Sequence, residues 1–83
     1  MTVTVVCFGA MRDYLSHAAD GNRVSVNVGR SATVADAVDA LGAPRRLVYA
    51  VLVDGVQSTL DAQLHENAEV TLMPPFAGGS RTL

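Results

Sequence analysis

Apolar residues fall into short blocks along this chain, and their spacing switches between strand and helix periods with turn residues in between. Residues 2–8, Thr-Val-Thr-Val-Val-Cys-Phe, are β-branched and aromatic and apolar on both sides of the alternation. That pattern predicts a central strand covered on both faces. Gly9 breaks it. Met11, Tyr14, Leu15 and Ala18 then recur at helical spacing before Asp20-Gly21, which predicts a short helix at about 10–19. Residues 23–28 alternate strictly, with Val24, Val26 and Val28 on one side, so a half-buried strand follows.

The strongest helix signal comes next. Thr33 suits the N-cap, and Asp36 in the first turn suits the helix dipole. Val34, Ala37, Val38 and Leu41 form one apolar stripe, and Gly42 with Pro44 beyond it supplies the stop. Residues 47–53 are nearly all apolar and short enough to favour a buried strand. Asp54-Gly55 marks a hairpin turn into a short return strand at Val56-Gln57. Residues 58–64 leave room for one helical turn with Leu60 and Leu64 inward. Glu69–Met73 reads as a last strand, ended by Pro74-Pro75 because proline cannot donate to a ladder. One amphipathic helix over a small mixed sheet is the simplest way to bury these faces.

Composition narrows the setting. Eighty-three residues, 49% hydrophobic and 17% charged, make one small globular domain. The net charge of −2, without a basic stripe or a run of like charge, argues against nucleic acid and membrane surfaces as partners. The first ten residues are apolar but lack a charged leader and are too short to span a bilayer. One cysteine, Cys7, leaves no internal disulfide and fits a reducing compartment, so a cytoplasmic location is expected. All six basic residues are arginine. Without lysine there is no side-chain amine for Schiff-base or isopeptide chemistry, which points any covalent attachment at the carboxyl end.

The catalytic inventory is thin. His17, His65 and Cys7 lack metal-ligand spacing, so no metal site is expected. Cys7 lies in an apolar run and reads as a buried thiol, and Asp36 and Asp39 read as a solvated helix face. The tail, Pro74-Pro75-Phe76-Ala77-Gly78-Gly79-Ser80-Arg81-Thr82-Leu83, is different. Read alone it is either a flexible end or a delivery device. In the second reading two prolines stiffen the exit from the sheet, and two glycines let bare backbone enter a narrow cleft.

Several segments resemble the MoaD/ThiS group of sulfur carriers, which includes the small subunit of molybdopterin synthase and shares its fold with ubiquitin. Phe8-Gly9-Ala10-Met11-Arg12-Asp13 resembles the group's segment after the first strand. The stretch from Ala32 to Leu41 resembles its capped helix, and Leu64 to Val70 its approach to the last strand. Pro74-Pro75-Phe76-Ala77-Gly78-Gly79 is close to its terminal signature.

The resemblance implies an α+β β-grasp fold over residues 1–75, with about five strands on one main helix, and a flexible tail over 76–83. It implies that Gly79 is the attachment residue, adenylated and then converted to a thiocarboxylate, while Phe76, Ala77 and Gly78 thread into the partner. Phe8 and Met73 are candidates for an apolar docking patch, or for core. No cofactor is bound, ATP being consumed by the activating enzyme. The implied partners are an E1-like adenylating or sulfurtransferase enzyme and a sulfur-accepting synthase subunit. The chain itself is then a protein co-substrate and not an enzyme.

Two departures qualify the match. Asn67-Ala68 stand where the group often has Gly-Asp, and asparagine tolerates the left-handed turn. Ser80-Arg81-Thr82-Leu83 follow the second glycine, where an amide cannot be adenylated, so a processing protease is implied as well. The length to Gly79 resembles the molybdopterin type, and the extension tilts toward carriers for amino-acid or secondary-metabolite sulfur. The residues leave open an alternative: a ubiquitin-like binding or structural module whose tail stays unprocessed.

Overall fold

The computed structural model describes residues 1–15 and 20–74. Five strands form one sheet: β1 (Thr2–Cys7), β2 (Arg23–Asn27), β3 (Ala50–Val53), β4 (Val56–Ser58) and β5 (Glu69–Met73). Their order is β2-β1-β5-β3-β4. The central pair, β1 and β5, runs parallel, with Val5 beside Val70 and Cys7 beside Leu72. The other pairings are antiparallel. One α-helix among the described residues, α1 (Val34–Leu41), packs on this mixed sheet, giving the β-grasp architecture of ubiquitin.

Side-chain alternation decides which residues meet the helix. Val3, Val5 and Cys7 of β1, Val24 of β2, Val51 of β3 and Val70 and Leu72 of β5 all enter one core. They meet Val34, Ala37 and Val38 of α1, together with Met11, Leu64 and Ala68. The core is built mostly of valine, whose stiff β-branched side chain suits the pleated surface.

The helix forms as its local signals predict. Thr33 accepts from the Asp36 amide at 3.4 Å, and Asp36 accepts from the Thr33 amide at 2.9 Å, closing a reciprocal capping box. Gly42 ends the helix with φ of 87°, a left-handed turn that favours glycine. Asp54 and Gly55 both take positive φ, as the hairpin reading of Asp-Gly requires, and Asn67 does so at 66°.

Three expectations change. The helix expected at 10–19 is a 3₁₀ segment, Gly9–Tyr14, ended when Leu15 turns extended. Its amides bond three residues back, Met11 to Phe8 and Leu15 to Arg12, and Met11 anchors it in the core. Ala18, the last member of that pattern, lies outside the described residues. The strand expected over 47–53 begins only at Ala50, because Arg45–Leu47 forms a 3₁₀ turn after Pro44. Residues 58–64 hold no helical turn. Their carbonyls are taken by α1: Val34 donates to Ala62 and Ala35 to Leu60, each at 2.9 Å. These bonds satisfy helix amides that have no partner within the helix itself.

Candidate functional site

The carboxyl end of β5 is held on both sides. Phe8 donates its amide to the Leu72 carbonyl at 3.2 Å, and Tyr49 donates to Met73 at 2.8 Å. Pro74 follows, buried, and the ladder stops because proline has no N–H. Gly9 makes room for it. Its φ is +56°, and a Cβ at this position would stand 2.9 Å from Pro74 Cγ. The chain therefore leaves the sheet at a fixed point, between the end of β1 and the approach to β3. Pro75, Phe76, Ala77, Gly78 and Gly79, and the extension Ser80–Leu83, lie outside the described residues.

Around that point the face turned away from α1 is apolar. Phe8 remains extended beyond β1, so the parallel register continues and sets it beside Met73, which in turn pairs with Ala50. Behind them lies the row Val6, Thr71 and Leu52. Phe8 is 44% exposed and Met73 is half-buried, so Phe8 lines a surface and is not core. Further along the same face the surface turns polar, where Arg23 reaches Glu69 at 3.2 Å.

Tyr49 completes the surroundings of the exit and was not singled out by sequence reasoning. It is 79% exposed, although it stands inside an apolar run that reads as buried. The available signal was its type: tyrosine pairs an apolar ring with a wet hydroxyl and is suited to contact surfaces.

The other candidate groups have local roles. Cys7 is fully buried one residue before Phe8, and burial pushes its thiol up, away from the reactive thiolate. Asp36 closes the capping box, and Asp39 accepts two bonds from Arg45 at 3.0 and 2.6 Å. The Arg45 hydrogen bond holds the Asp39 carboxyl below its usual range. His65 pairs with Asp54 at 2.5 Å, beside the 54–55 turn, at the sheet end opposite the exit. His17 lies outside the described residues. Among the described residues no group of three or more His, Cys, Asp or Glu side chains could hold a metal ion. The arrangement offers a presented chain end and an apolar surface beside it.

Residues 1–78 match the family model described as Mut7-C ubiquitin. None of the curated proteins matches the chain. Among solved structures, SAMP1 from Haloferax volcanii is similar, at 28% identity and a TM-score of 0.71, covering 95% of this chain and 100% of that one. A second crystal structure of H. volcanii small archaeal modifier protein 1 aligns at 26% identity and a TM-score of 0.65, covering 89% of this chain and 97% of that one. A Pyrococcus furiosus protein assigned as molybdopterin converting factor, subunit 1, shares the fold at 18% identity and a TM-score of 0.64, covering 89% and 97%.

Proposed function

Since the chain belongs to the Mut7-C ubiquitin family, with a MoaD/ThiS-like ubiquitin fold, we propose that it is a sulfur carrier working through the carboxyl group of Gly79. The observation that carries this reading is the end of β5. It is pinned by Phe8 and Tyr49, packed as Pro74 against Gly9, and followed within five residues by Gly78-Gly79.

In this reading a protease first removes residues 80–83, because the Gly79 amide cannot be activated. The freed carboxylate attacks the α-phosphate of ATP on an E1-like adenylating enzyme, releasing pyrophosphate. A carboxylate is a poor electrophile until it carries such a leaving group. The outer sulfur of a persulfide-type donor then displaces AMP to give an acyl disulfide. A second thiol cleaves the S–S bond, leaving the thiocarboxylate and a disulfide between the donor and that thiol. A synthase subunit accepts the sulfur for a molybdopterin-type cofactor, an amino acid or a secondary metabolite. Phe76, Ala77 and Gly78 thread the partner's cleft, while Phe8, Met73 and Tyr49 rest on its rim. The chain is a protein co-substrate, and ATP is bound by the enzyme, not by the carrier. Cytoplasmic placement belongs to the same reading; among the described residues, no helix is long and apolar enough to cross a membrane.

A second use of the same activated carboxyl is attachment to protein amines. The similarity to a small archaeal modifier protein favours it. Both uses need a free Gly79, so one measurement serves both. The chain ending at Gly79 is incubated with ATP, a sulfur donor and the adenylating enzyme of its host, and intact mass is recorded. Exchange of one oxygen for sulfur is expected. A chain that gains neither sulfur nor a protein adduct, and that keeps Leu83 in native extracts, is an unprocessed binding module instead.

A further inference from the structure

We propose that the outer edge of β2, with the groove between it and α1, binds an extended segment of a partner protein as an added strand. A basic side chain of that segment lies over the groove, against Asp36 and Asp39. The site is separate from the tail exit and does not depend on Gly79.

The sheet order leaves β2 and β4 as its edges, and of the two β2 is the longer, five residues against three. An edge strand presents a row of backbone donors and acceptors to another chain. Which residues present them follows from the β1–β2 ladder. Val28 donates its amide to the Met1 carbonyl at 2.8 Å, and Cys7 donates to the Asn22 carbonyl at 2.8 Å. Backbone bonds alternate along an antiparallel pair, so Val24, Val26 and Val28 turn theirs toward β1. Arg23, Ser25 and Asn27 turn theirs outward. Arg23 is capped by Asp20, which exchanges bonds with it at 2.8 and 3.2 Å. The exposed Ser25 and Asn27 then offer two amides and two carbonyls along the edge.

The surfaces on either side of that edge fit an added strand. Guest residues opposite Val26 and Val28 point toward α1, as those two valines do. There a groove of about 610 Å³ is lined by Val28, Ala32 and Ala40 and by the carboxylates of Asp36 and Asp39. An arginine suits an apolar floor with an acidic wall, because its stem covers the floor while its guanidinium meets the carboxylates. Asp39 already holds one guanidinium, accepting from Arg45 at 3.0 and 2.6 Å. Asp36 makes its capping bonds through Oδ2, so Oδ1 lies outside the cap. On the other face a hollow of about 250 Å³, lined by Thr4, Asp20, Arg23 and Ser25, takes the intervening small polar side chains. Two hollows on opposite faces of one edge match the period of two in a strand.

The groove lies at the level where Asn27 pairs with Thr2. Phe8 lies six residues further along the chain, about 20 Å at the rise of a strand. A segment seated on β2 therefore leaves Phe8, Tyr49 and Met73 uncovered.

The test titrates the full, isotope-labelled chain with the blocked peptide Ser-Val-Thr-Arg-Thr-Val-Ser, whose valines and arginine share one strand face, and follows each amide by NMR. At about 2 mM peptide, enough to fill about two thirds of a site with a millimolar Kd, the Ser25 and Asn27 amides should move downfield. Their hydrogen exchange should slow as well. Methylating the backbone nitrogens of the two threonines should abolish both effects. Glutamate in place of the peptide's arginine should weaken binding at least roughly fivefold, since attraction to two carboxylates becomes repulsion. Asp39→Asn removes only an exposed ion pair and keeps the fold. It should narrow the difference between the arginine and glutamate peptides. Unmoved Ser25 and Asn27 amides overturn the proposal, as do shifts centred on Phe8, Tyr49 and Met73. Equal binding of the methylated peptide, or of the glutamate peptide, overturns it too. A chain that never gains sulfur from an activating enzyme overturns the carrier reading and leaves this titration unchanged.

Discussion

His65 has an acceptor at each ring nitrogen, Asp54 Oδ2 at 2.5 Å and the Glu66 carbonyl at 2.9 Å, and only the imidazolium can donate to both. The Asp54 hydrogen bond, followed by the Glu66 carbonyl, raises the His65 pKa. Asp54 moves the other way, its carboxyl lowered first by the Glu69 amide and then by His65. A raised histidine contributes stability that is complete below its unfolded value and lost as pH rises through the folded one. A lowered carboxyl contributes above its unfolded value, and that is lost as pH falls through the folded one. The pair therefore supports the fold best between the ordinary carboxylate and histidine values. An NMR titration should place His65 above the ordinary histidine value, and Asp54→Asn should bring it down. An unmoved titration would mean the pair does not form in solution. Gly9 offers a second test. Gly9 and Gly21 both have left-handed φ, but only at Gly9 does an added Cβ meet Pro74. Each alanine substitution should cost about 1–2 kcal/mol for the backbone conformation. Gly9→Ala should cost more by the Pro74 contact, read as the difference between the two denaturation midpoints.

Among the elements, α1 depends most on signals close in sequence. Thr33→Ala removes the cap and should cost about 1 kcal/mol in denaturant unfolding. Because Thr33 and Asp36 bond reciprocally, Thr33→Ala with Asp36→Ala should cost less than the sum of the two singles. An additive pair would show that the box is open in solution. This helix was legible because cap, stripe and stop lie within ten residues of one another. The strands were legible for the same reason, through alternation and the Asp54-Gly55 turn. Residues 58–64 were not, since their conformation is set by amides at Val34 and Ala35, far away in sequence. The late start of β3 follows from the turn after Pro44, which takes Leu47 out of the expected strand, while Val48 is already extended and the Tyr49 amide reaches Met73.

At the scale of the whole molecule, residues that build the fold and residues that surround the tail exit separate cleanly. Phe8, in the segment after the first strand, and Met73, just before the terminal signature, were named in the sequence as docking patch or core, but periodicity could not say whether they face core or solvent. Tyr49 was hidden in an apolar run, because only the sheet order β1-β5-β3 brings it to the flank of β5 opposite Phe8. The separation predicts two kinds of variant. Leu72 is fully buried at the centre of the sheet, so Leu72→Ala should cost about 2–5 kcal/mol of stability. Tyr49 is 79% exposed, and Tyr49→Ala should leave stability within about 0.5 kcal/mol. Phe8, exposed over nearly half its surface, should cost about 1 kcal/mol on truncation to alanine. If partners dock at the exit, Tyr49→Ala should raise the carrier concentration needed for half-maximal sulfur loading by roughly fivefold, the equivalent of about 1 kcal/mol of contact. Its thermal midpoint and its loading rate at saturation should stay unchanged, because the threaded tail is intact. A Tyr49→Ala chain that loads like the unaltered one places docking elsewhere on the sheet, and the polar half around Arg23 and Glu69 is then the surface to vary.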